Sequence, residues 1–157
     1  MRRKRVSYKP ALSALVVGAT DPDQSQLEAI FLRHGWEIAR ARTRAEARAV
    51  LESTPIALVI AESELPEGGW REMLDDLRFS ADPPVLVVTA RLADESLWAE
   101  VLNMGGFDVL AKPLDGEEVG RVVGAALRHF DNERQGQRTP EPALTAVPAF
   151  AKAAEVA

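Results

Sequence analysis

The chain has 157 residues, of which 46% are hydrophobic and 27% charged, a composition typical of a soluble globular protein with one core. It contains no cysteine, which excludes disulfides, thiolate metal sites and cysteine nucleophiles. Its two histidines, His34 and His129, are far apart in sequence, which argues against a histidine-based zinc site. The chemistry available is therefore that of carboxylates, hydroxyls and lysine.

The charge pattern divides the chain into three parts. Residues 1–11 carry five positive charges and are predicted to be a basic, disordered arm. Residues 12–130 are acidic and are predicted to form the domain, so no direct DNA binding is expected of them. Residues 131–157, rich in Pro and Ala, are predicted to be a disordered tail, too short for a helix-turn-helix module.

The first 19 residues imitate a secretory signal, because a basic segment precedes a short apolar one. Cleavage there would remove residues 12–17, which the domain needs as its first strand. No apolar run approaches the roughly 18 residues that span a bilayer. We therefore expect no membrane span and a cytoplasmic location.

Strand and helix patterns alternate from residue 12 onwards. Mostly apolar runs, the first of them rich in β-branched residues, predict five strands: Ser13–Val17, Trp36–Ala41, Ile56–Ala61, Val85–Ala90 and Phe107–Ala111. Each run is followed by an amphipathic segment with a helix-start signal, and those signals lie at Asp21-Pro22, Thr43, Gly69, Asp94 and Asp115. The last helix is expected to end at Phe130.

Strict alternation of strand and helix predicts an α/β fold: a doubly wound, five-stranded parallel sheet between two layers of helices, of the flavodoxin-like type. In such folds the functional residues lie at the carboxyl ends of the strands.

Trp70 and Trp98, on the predicted third and fourth helices, are interpreted as half-buried packing residues.

The segments that follow the strands carry the most specific patterns of the chain. They are Gly18-Ala19 after the first strand, Glu62–Pro66 after the third, Val87–Ala90 at the end of the fourth and Lys112-Pro113 after the fifth. Together they resemble a response-regulator receiver domain, of the CheY-like type, over residues 12–130.

The resemblance implies a phosphorylation site. In receivers an acidic pair after the first strand and an aspartate after the third hold Mg²⁺, and the aspartate accepts a phosphoryl group from a histidine kinase. A threonine and a lysine, here Thr89 and Lys112, bind the phosphate oxygens. Oxygen ligands suit Mg²⁺, which neutralises the moving phosphoryl group.

Three positions depart from the receiver pattern. Gly18 and Ala19 stand in place of the acidic pair, so we expect Mg²⁺ binding to be lost and no cofactor to be required. Glu62 occupies the acceptor position, where its extra methylene displaces the carboxylate from the in-line geometry. Val109 replaces the aromatic residue that usually rotates during activation. We further expect Lys112 to form an ion pair with Glu62.

These departures favour an atypical, non-enzymatic receiver that binds a protein partner without being phosphorylated. The partner would be a histidine kinase or a downstream signalling protein, bound by the fourth helix, fifth strand and fifth helix; a homodimer is a further expectation. Glu62 is either a partial mimic of the phosphorylated acceptor, an inert position in a domain that no longer switches, or a residual acceptor.

Two other functions stay open. One is a true phosphorelay receiver with a displaced acceptor such as Ser63 or Asp21. The other is a small nucleotide-binding protein or enzyme of doubly wound fold, although the loop that begins at Gly18 lacks both the G-x-G-x-x-G and the P-loop lysine patterns.

Overall fold

The computed structural model describes residues 13–138 and contains seven strands in that range. In chain order they are β1 (Ser13–Val17), β2 (Glu37–Ala41), β3 (Leu58–Glu62), β4 (Glu64–Leu65), β5 (Gly68–Gly69), β6 (Val85–Ala90) and β7 (Asp108–Ala111). Five of them form one parallel sheet in the order β2-β1-β3-β6-β7, and β4 and β5 form a separate antiparallel pair. The predicted doubly wound parallel sheet is confirmed.

Five helices connect the strands and cover both faces of the sheet. They are α1 (Asp21–His34), α2 (Arg44–Ser53), α3 (Trp70–Leu77), α4 (Glu95–Met104) and α5 (Gly116–Arg138). Helices α1 and α5 pack on one face, and α2, α3 and α4 pack on the other. The functional edge of the sheet therefore lies where the strands end and the helices begin.

Two apolar cores flank the sheet because successive strand residues point to opposite sides. In β1, for example, Ala14 and Val16 face α1 and α5, whereas Leu15 and Val17 face the other helix layer. All four side chains are buried. Burial on both faces explains why the central strands are continuous apolar runs and not alternating ones.

Helix α1 begins one residue earlier than its sequence signal indicates. Thr20, and not Asp21, is the N-cap, and its Oγ1 accepts a hydrogen bond from the backbone N–H of Asp23 at 3.3 Å. Gly35, in the left-handed conformation, ends the helix as predicted. The shift by one residue places Asp23 in the first turn at the third helical position, where its carboxylate is favoured by the helix dipole.

Helix α5 is longer than predicted. It continues to Arg138, whereas the sequence pattern places its end at Phe130. Residues 131–138 carry mostly polar residues that are compatible with a helix but do not repeat the apolar stripe, so periodicity does not reveal them. The predicted limits of the domain stay predictions. The predicted basic arm, residues 1–11, and residues 139–157 of the predicted tail lie outside the described residues.

The two tryptophans differ in burial. Trp70 is 2% exposed, so its prediction as half-buried is wrong: it begins α3 directly after the β4–β5 pair and packs into the core. Trp98 is 48% exposed on α4, and its indole Nε1 donates a hydrogen bond to Asp108 Oδ1 at 3.1 Å. No helix between residues 13 and 138 is long and apolar enough to cross a membrane.

Candidate functional site

Three of the predicted site residues meet at the carboxyl edge of the sheet. Glu62 ends β3 and is the direct register partner of Thr89 in β6. Lys112 follows β7, and its backbone N–H donates to the carbonyl of Ala90 at 3.0 Å, which fixes the start of its loop. The Lys112-Pro113 peptide is cis. The parallel sheet therefore brings together residues separated by up to 50 positions in the chain.

One carboxylate oxygen of Glu62 accepts two hydrogen bonds. The Thr89 hydroxyl donates to Glu62 Oε2 at 3.0 Å, and the Lys112 ammonium donates to the same oxygen at 2.7 Å. Thr89 is buried, and the Lys112 and Glu62 side chains are only 11% and 17% exposed. The expected Lys112–Glu62 ion pair is thus present, and it is better shielded from solvent than a surface pair.

A second carboxylate, not identified in the sequence, joins this site. Asp23 Oδ2 lies 3.1 Å from Lys112 Nζ, and the Asp23 side chain is 21% exposed. Asp23 is the third residue of α1 and lies in its first turn. We call Glu62, Asp23, Thr89 and Lys112 the acid–lysine cluster.

The charge of Lys112 is stabilised within the acid–lysine cluster. Burial of the ammonium opposes its protonation, but the hydrogen bonds and negative charges of Glu62 and Asp23 outweigh this effect. The pKa of Lys112 therefore lies above its ordinary value of 10.5, and the side chain is a permanent cation near neutral pH.

The two positions of the missing acidic pair have different surroundings. Gly18 has a φ of +82°, and a Cβ added there would lie 2.5 Å from Leu65 Cδ2. The carbonyl of Ala19 accepts a hydrogen bond from Arg40 Nη2 at 3.1 Å. A carboxylate at position 18 would thus require both a left-handed backbone and movement of Leu65.

Val109 lies in β7 and is 7% exposed. It packs in the core on the side of α4, together with Val88 and Val101. The position that the receiver pattern gives to a rotating aromatic is therefore filled here by a small aliphatic core residue.

The two residues considered as displaced acceptors lie in different surroundings. The Asp21 side chain is 80% exposed and pairs with Arg40 at 2.8 Å, and this guanidinium lowers the pKa of Asp21 through a hydrogen bond and its charge. Ser63 directly follows Glu62, and its backbone N–H donates to the carbonyl of Thr89 at 2.8 Å. Neither side chain has a contact with Lys112 like that of Glu62.

The oxygen groups at this edge do not match the ligand set of a magnesium site. Two carboxylates, Glu62 and Asp23, are within reach, and both are already bonded to the Lys112 ammonium. Across residues 13–138, no group of three or more His, Cys, Asp and Glu side chains is arranged to hold a metal ion. Mg²⁺ prefers octahedral coordination by oxygen atoms. The Lys112 ammonium, bonded to both carboxylates, repels a second cation at the same oxygens.

A doubly wound sheet with strand order β2-β1-β3-β6-β7 and an acid, a hydroxyl and a lysine at its carboxyl edge defines a receiver-type domain. The sequence model of the response regulator receiver domain matches residues 15–123, and the chain belongs to this family. Response regulator receivers act in two-component signalling.

Curated relatives and solved structures agree with the family. The chain is 28% identical to protein PetR of Rhodobacter capsulatus over 136 residues, covering 87% of this chain and 53% of PetR. It is 29% identical to the transcriptional regulatory protein DpiA of Escherichia coli K12 over 115 residues, 71% of this chain and 50% of DpiA. The chain thus spans about half the length of these relatives.

The fold is similar to that of solved receiver domains. The receiver domain of a putative LuxO repressor protein from Vibrio parahaemolyticus matches with a TM-score of 0.74 and 17% identity, covering 80% of this chain and 97% of that one. The receiver domain of an HD domain-containing protein from Pseudomonas fluorescens Pf-5 matches with a TM-score of 0.70 and 22% identity, covering 78% and 99%.

Proposed function

We propose that this receiver domain is a protein-binding adaptor of two-component signalling that works without phosphorylation and without Mg²⁺. The observation that carries the proposal is the double engagement of Glu62 Oε2 by Thr89 and Lys112. In the family these two groups bind the phosphate oxygens of the phosphorylated acceptor. Here they are held by a carboxylate that is part of the chain, so Glu62 acts as a permanent partial substitute for the acyl phosphate.

Phosphoryl acceptance is disfavoured on chemical grounds. A carboxylate oxygen attacks phosphorus in line, with a metal ion neutralising the phosphoryl oxygens. Glu62 reaches further than an aspartate, its Oε2 is bonded to two donors, and the positions of the acidic pair hold Gly18 and Ala19. Each feature removes part of the positioning and charge neutralisation on which the reaction depends.

The proposed docking surface for the partner is the face formed by α4, β7 and α5. Leu92, Trp98 and Leu102 are 77%, 48% and 37% exposed in α4 and the loop before it. The bond from the Trp98 indole to Asp108 fixes the aromatic ring against β7. Exposed aromatic and aliphatic side chains of this kind are typical anchors of protein interfaces. The partner is a histidine kinase or a downstream signalling protein, and the cytoplasmic location stays a prediction.

Labelling with acetyl phosphate tests the proposal. The purified chain is incubated with acetyl phosphate and MgCl₂ beside a receiver known to accept the phosphoryl group, and intact mass is measured. We expect no mass increase in the chain. Stoichiometric, Mg²⁺-dependent labelling contradicts the proposal, and peptide mapping to Ser63 or Asp21 instead supports the displaced-acceptor receiver.

A capture experiment tests the role of Glu62 in partner binding. The chain is used as bait in native lysate, beside Glu62→Gln and Glu64→Gln. Glu64 is the matched control, because it is exposed on β4 and has the same charge. We expect Glu62→Gln to lose partners that Glu64→Gln retains. Identical partners for all three baits would show that Glu62 has no role in binding.

A further inference from the structure

We propose that the Lys112 ammonium is the resident cation of the acid–lysine cluster and takes the place of a divalent ion, with Asp23 as the positioning residue that holds it there. This inference rests on the proposed function and adds which group fills the pocket in place of Mg²⁺. It also predicts that a divalent cation and the Lys112 side chain compete for the same two carboxylates.

The carboxylates of Glu62 and Asp23 converge on the Lys112 ammonium. Glu62 and Asp23 approach the same nitrogen atom, at 2.7 and 3.1 Å, and come from different parts of the chain, the end of β3 and the first turn of α1. All three side chains are at least 79% buried. Two largely buried carboxylates directed at one point repel each other unless a cation lies between them.

The second carboxylate comes from a helix and not from the end of β1. Gly18 and Ala19 follow β1 where the receiver pattern has its acidic pair, and Gly18 has a left-handed backbone that side chains rarely adopt. The Thr20 cap orients the first turn of α1 so that Asp23 reaches Lys112 across the edge of the sheet. Asp23 of α1 thus supplies negative charge to a pocket in which Gly18 and Ala19 replace the acidic pair.

Asp21 provides an internal control for this assignment. It lies two residues before Asp23 in the same helical turn, carries the same charge, and is 80% exposed with its carboxylate on Arg40. If cation binding depended only on negative charge near the start of α1, Asp21 and Asp23 would contribute equally. If it depends on a specific pocket, only Asp23 contributes.

Removal of Lys112 is the direct test. In Lys112→Ala the two carboxylates lose their ammonium and gain space, and oxygen ligands of this kind suit hard divalent ions. We expect Lys112→Ala to bind one Mn²⁺ about tenfold or more tightly than the wild-type chain. Binding is followed by the loss of the free Mn²⁺ signal in electron paramagnetic resonance, with circular dichroism as the check of folding. Lys112→Gln, which retains a polar side chain, is expected to show a smaller gain.

Second substitutions identify the ligands. In the Lys112→Ala background, Asp23→Asn is expected to abolish the gained Mn²⁺ site, whereas Asp21→Asn leaves it intact. The inference is overturned if folded Lys112→Ala or Lys112→Gln binds Mn²⁺ no more tightly than wild type, or if Asp21→Asn removes the site as effectively as Asp23→Asn.

A measurement on the wild-type chain is independent of the folding of any variant. Substoichiometric Mn²⁺ is added to ¹⁵N-labelled protein, and the broadening of backbone amide signals is mapped. We expect no selective broadening at Thr89 and Lys112, because the ammonium already fills the pocket. Selective broadening there would overturn the inference. Phosphoryl labelling of the chain without such broadening would instead contradict the proposed function alone.

Discussion

The carboxylate of Glu62 and the hydroxyl of Thr89 face each other across neighbouring parallel strands, as direct register partners joined by a 3.0 Å hydrogen bond. This pairing fixes Glu62 Oε2 at the position where Lys112 also reaches it. A charged acceptor bonded to both a hydroxyl and an ammonium is stabilised more strongly than in either bond alone.

Glu62→Gln is expected to lower the free energy of unfolding by about 1–3 kcal/mol, because a largely buried ammonium loses one of its two carboxylates while Asp23 remains. Urea unfolding followed by circular dichroism measures the change. The matched substitution Glu64→Gln, on an exposed residue, is expected to stay within about 0.5 kcal/mol of wild type. Equal effects of the two substitutions would contradict a stabilising role for the Glu62 contacts.

The stability of the chain is expected to fall at alkaline pH through Lys112. Since the pKa of Lys112 is raised in the folded state, its contribution is fully present below the ordinary value of 10.5 and is lost as the pH rises through the folded-state pKa. Lys112 is the only lysine in residues 13–138, which limits competing titrations. Urea unfolding between about pH 9 and pH 12 measures the loss.

Lys112→Met is the comparison for the pH experiment, because it keeps an aliphatic side chain but cannot titrate. We expect it to be less stable than wild type near neutral pH and to show a flatter decline above pH 10.5. Parallel curves for the two proteins would assign the alkaline loss to other groups.

Restoring an acid at the end of β1 is expected to fail. Gly18→Asp requires a left-handed backbone for a residue with a Cβ, and that Cβ would lie 2.5 Å from Leu65 Cδ2. We expect a loss of about 1–3 kcal/mol in the free energy of unfolding. The double variant Gly18→Asp/Leu65→Ala relieves the collision, so its cost should be smaller than the sum of the two single costs. Additive costs, measured by urea unfolding, would contradict a clash with Leu65.

Two glycines of α5 are expected to respond differently to alanine. At Gly124 a Cβ would meet Arg128 Nη1 at 3.5 Å and the Trp36 ring at 3.8 Å, which are ordinary contacts, so Gly124→Ala should stabilise the helix by about 0.5–1 kcal/mol. At Gly120 a Cβ would lie 3.0 Å from His34 Nε2, and moving this ring, which stacks on Trp36, offsets part of the gain. Thermal unfolding ranks the two, and a larger gain at Gly120 would contradict a close α1–α5 contact.

The exposed face of α4 is expected to carry the partner contact. Trp98→Ala should weaken capture of the partner, whereas Phe79→Ala, which removes an aromatic ring that is 89% exposed in the turn after α3, should leave it unchanged. Quantitative mass spectrometry of captured proteins measures both. Loss of the partner with Phe79→Ala and not with Trp98→Ala would move the interface away from the α4–β7–α5 face.

The sheet could be predicted from sequence because its central strands are buried on both faces. The predicted runs Ile56–Ala61 and Val85–Ala90 are each preceded by proline and followed by a charged residue, and this signal can be recognised without knowledge of tertiary contacts. The pairing of Glu62 with Lys112 followed from the same sheet, since parallel strands end at one edge. Hairpin β4–β5 could not be predicted, because two-residue strands have no periodicity.

Asp23 was missed for two reasons, one local and one tertiary. Thr20 and Asp21 are both good N-cap residues, and the choice between them shifts every side chain of the first turn by one position. The structure selects Thr20, and the shift turns Asp23 toward Lys112 and Asp21 toward Arg40. The contact between Asp23 and Lys112, 89 positions apart in the chain, depends on tertiary packing and cannot be recognised from a local sequence pattern.

Crystals of the chain soaked in MgCl₂ and beryllofluoride, an analogue of the acyl phosphate, test whether Lys112 takes the place of Mg²⁺ and Glu62 that of the acyl phosphate. We expect Lys112 Nζ to stay between Glu62 and Asp23, and neither beryllofluoride nor Mg²⁺ to be ordered at the carboxyl edge of the sheet. Beryllofluoride bonded to Glu62, with Mg²⁺ beside it and Lys112 turned toward its fluorines, would contradict both proposed roles.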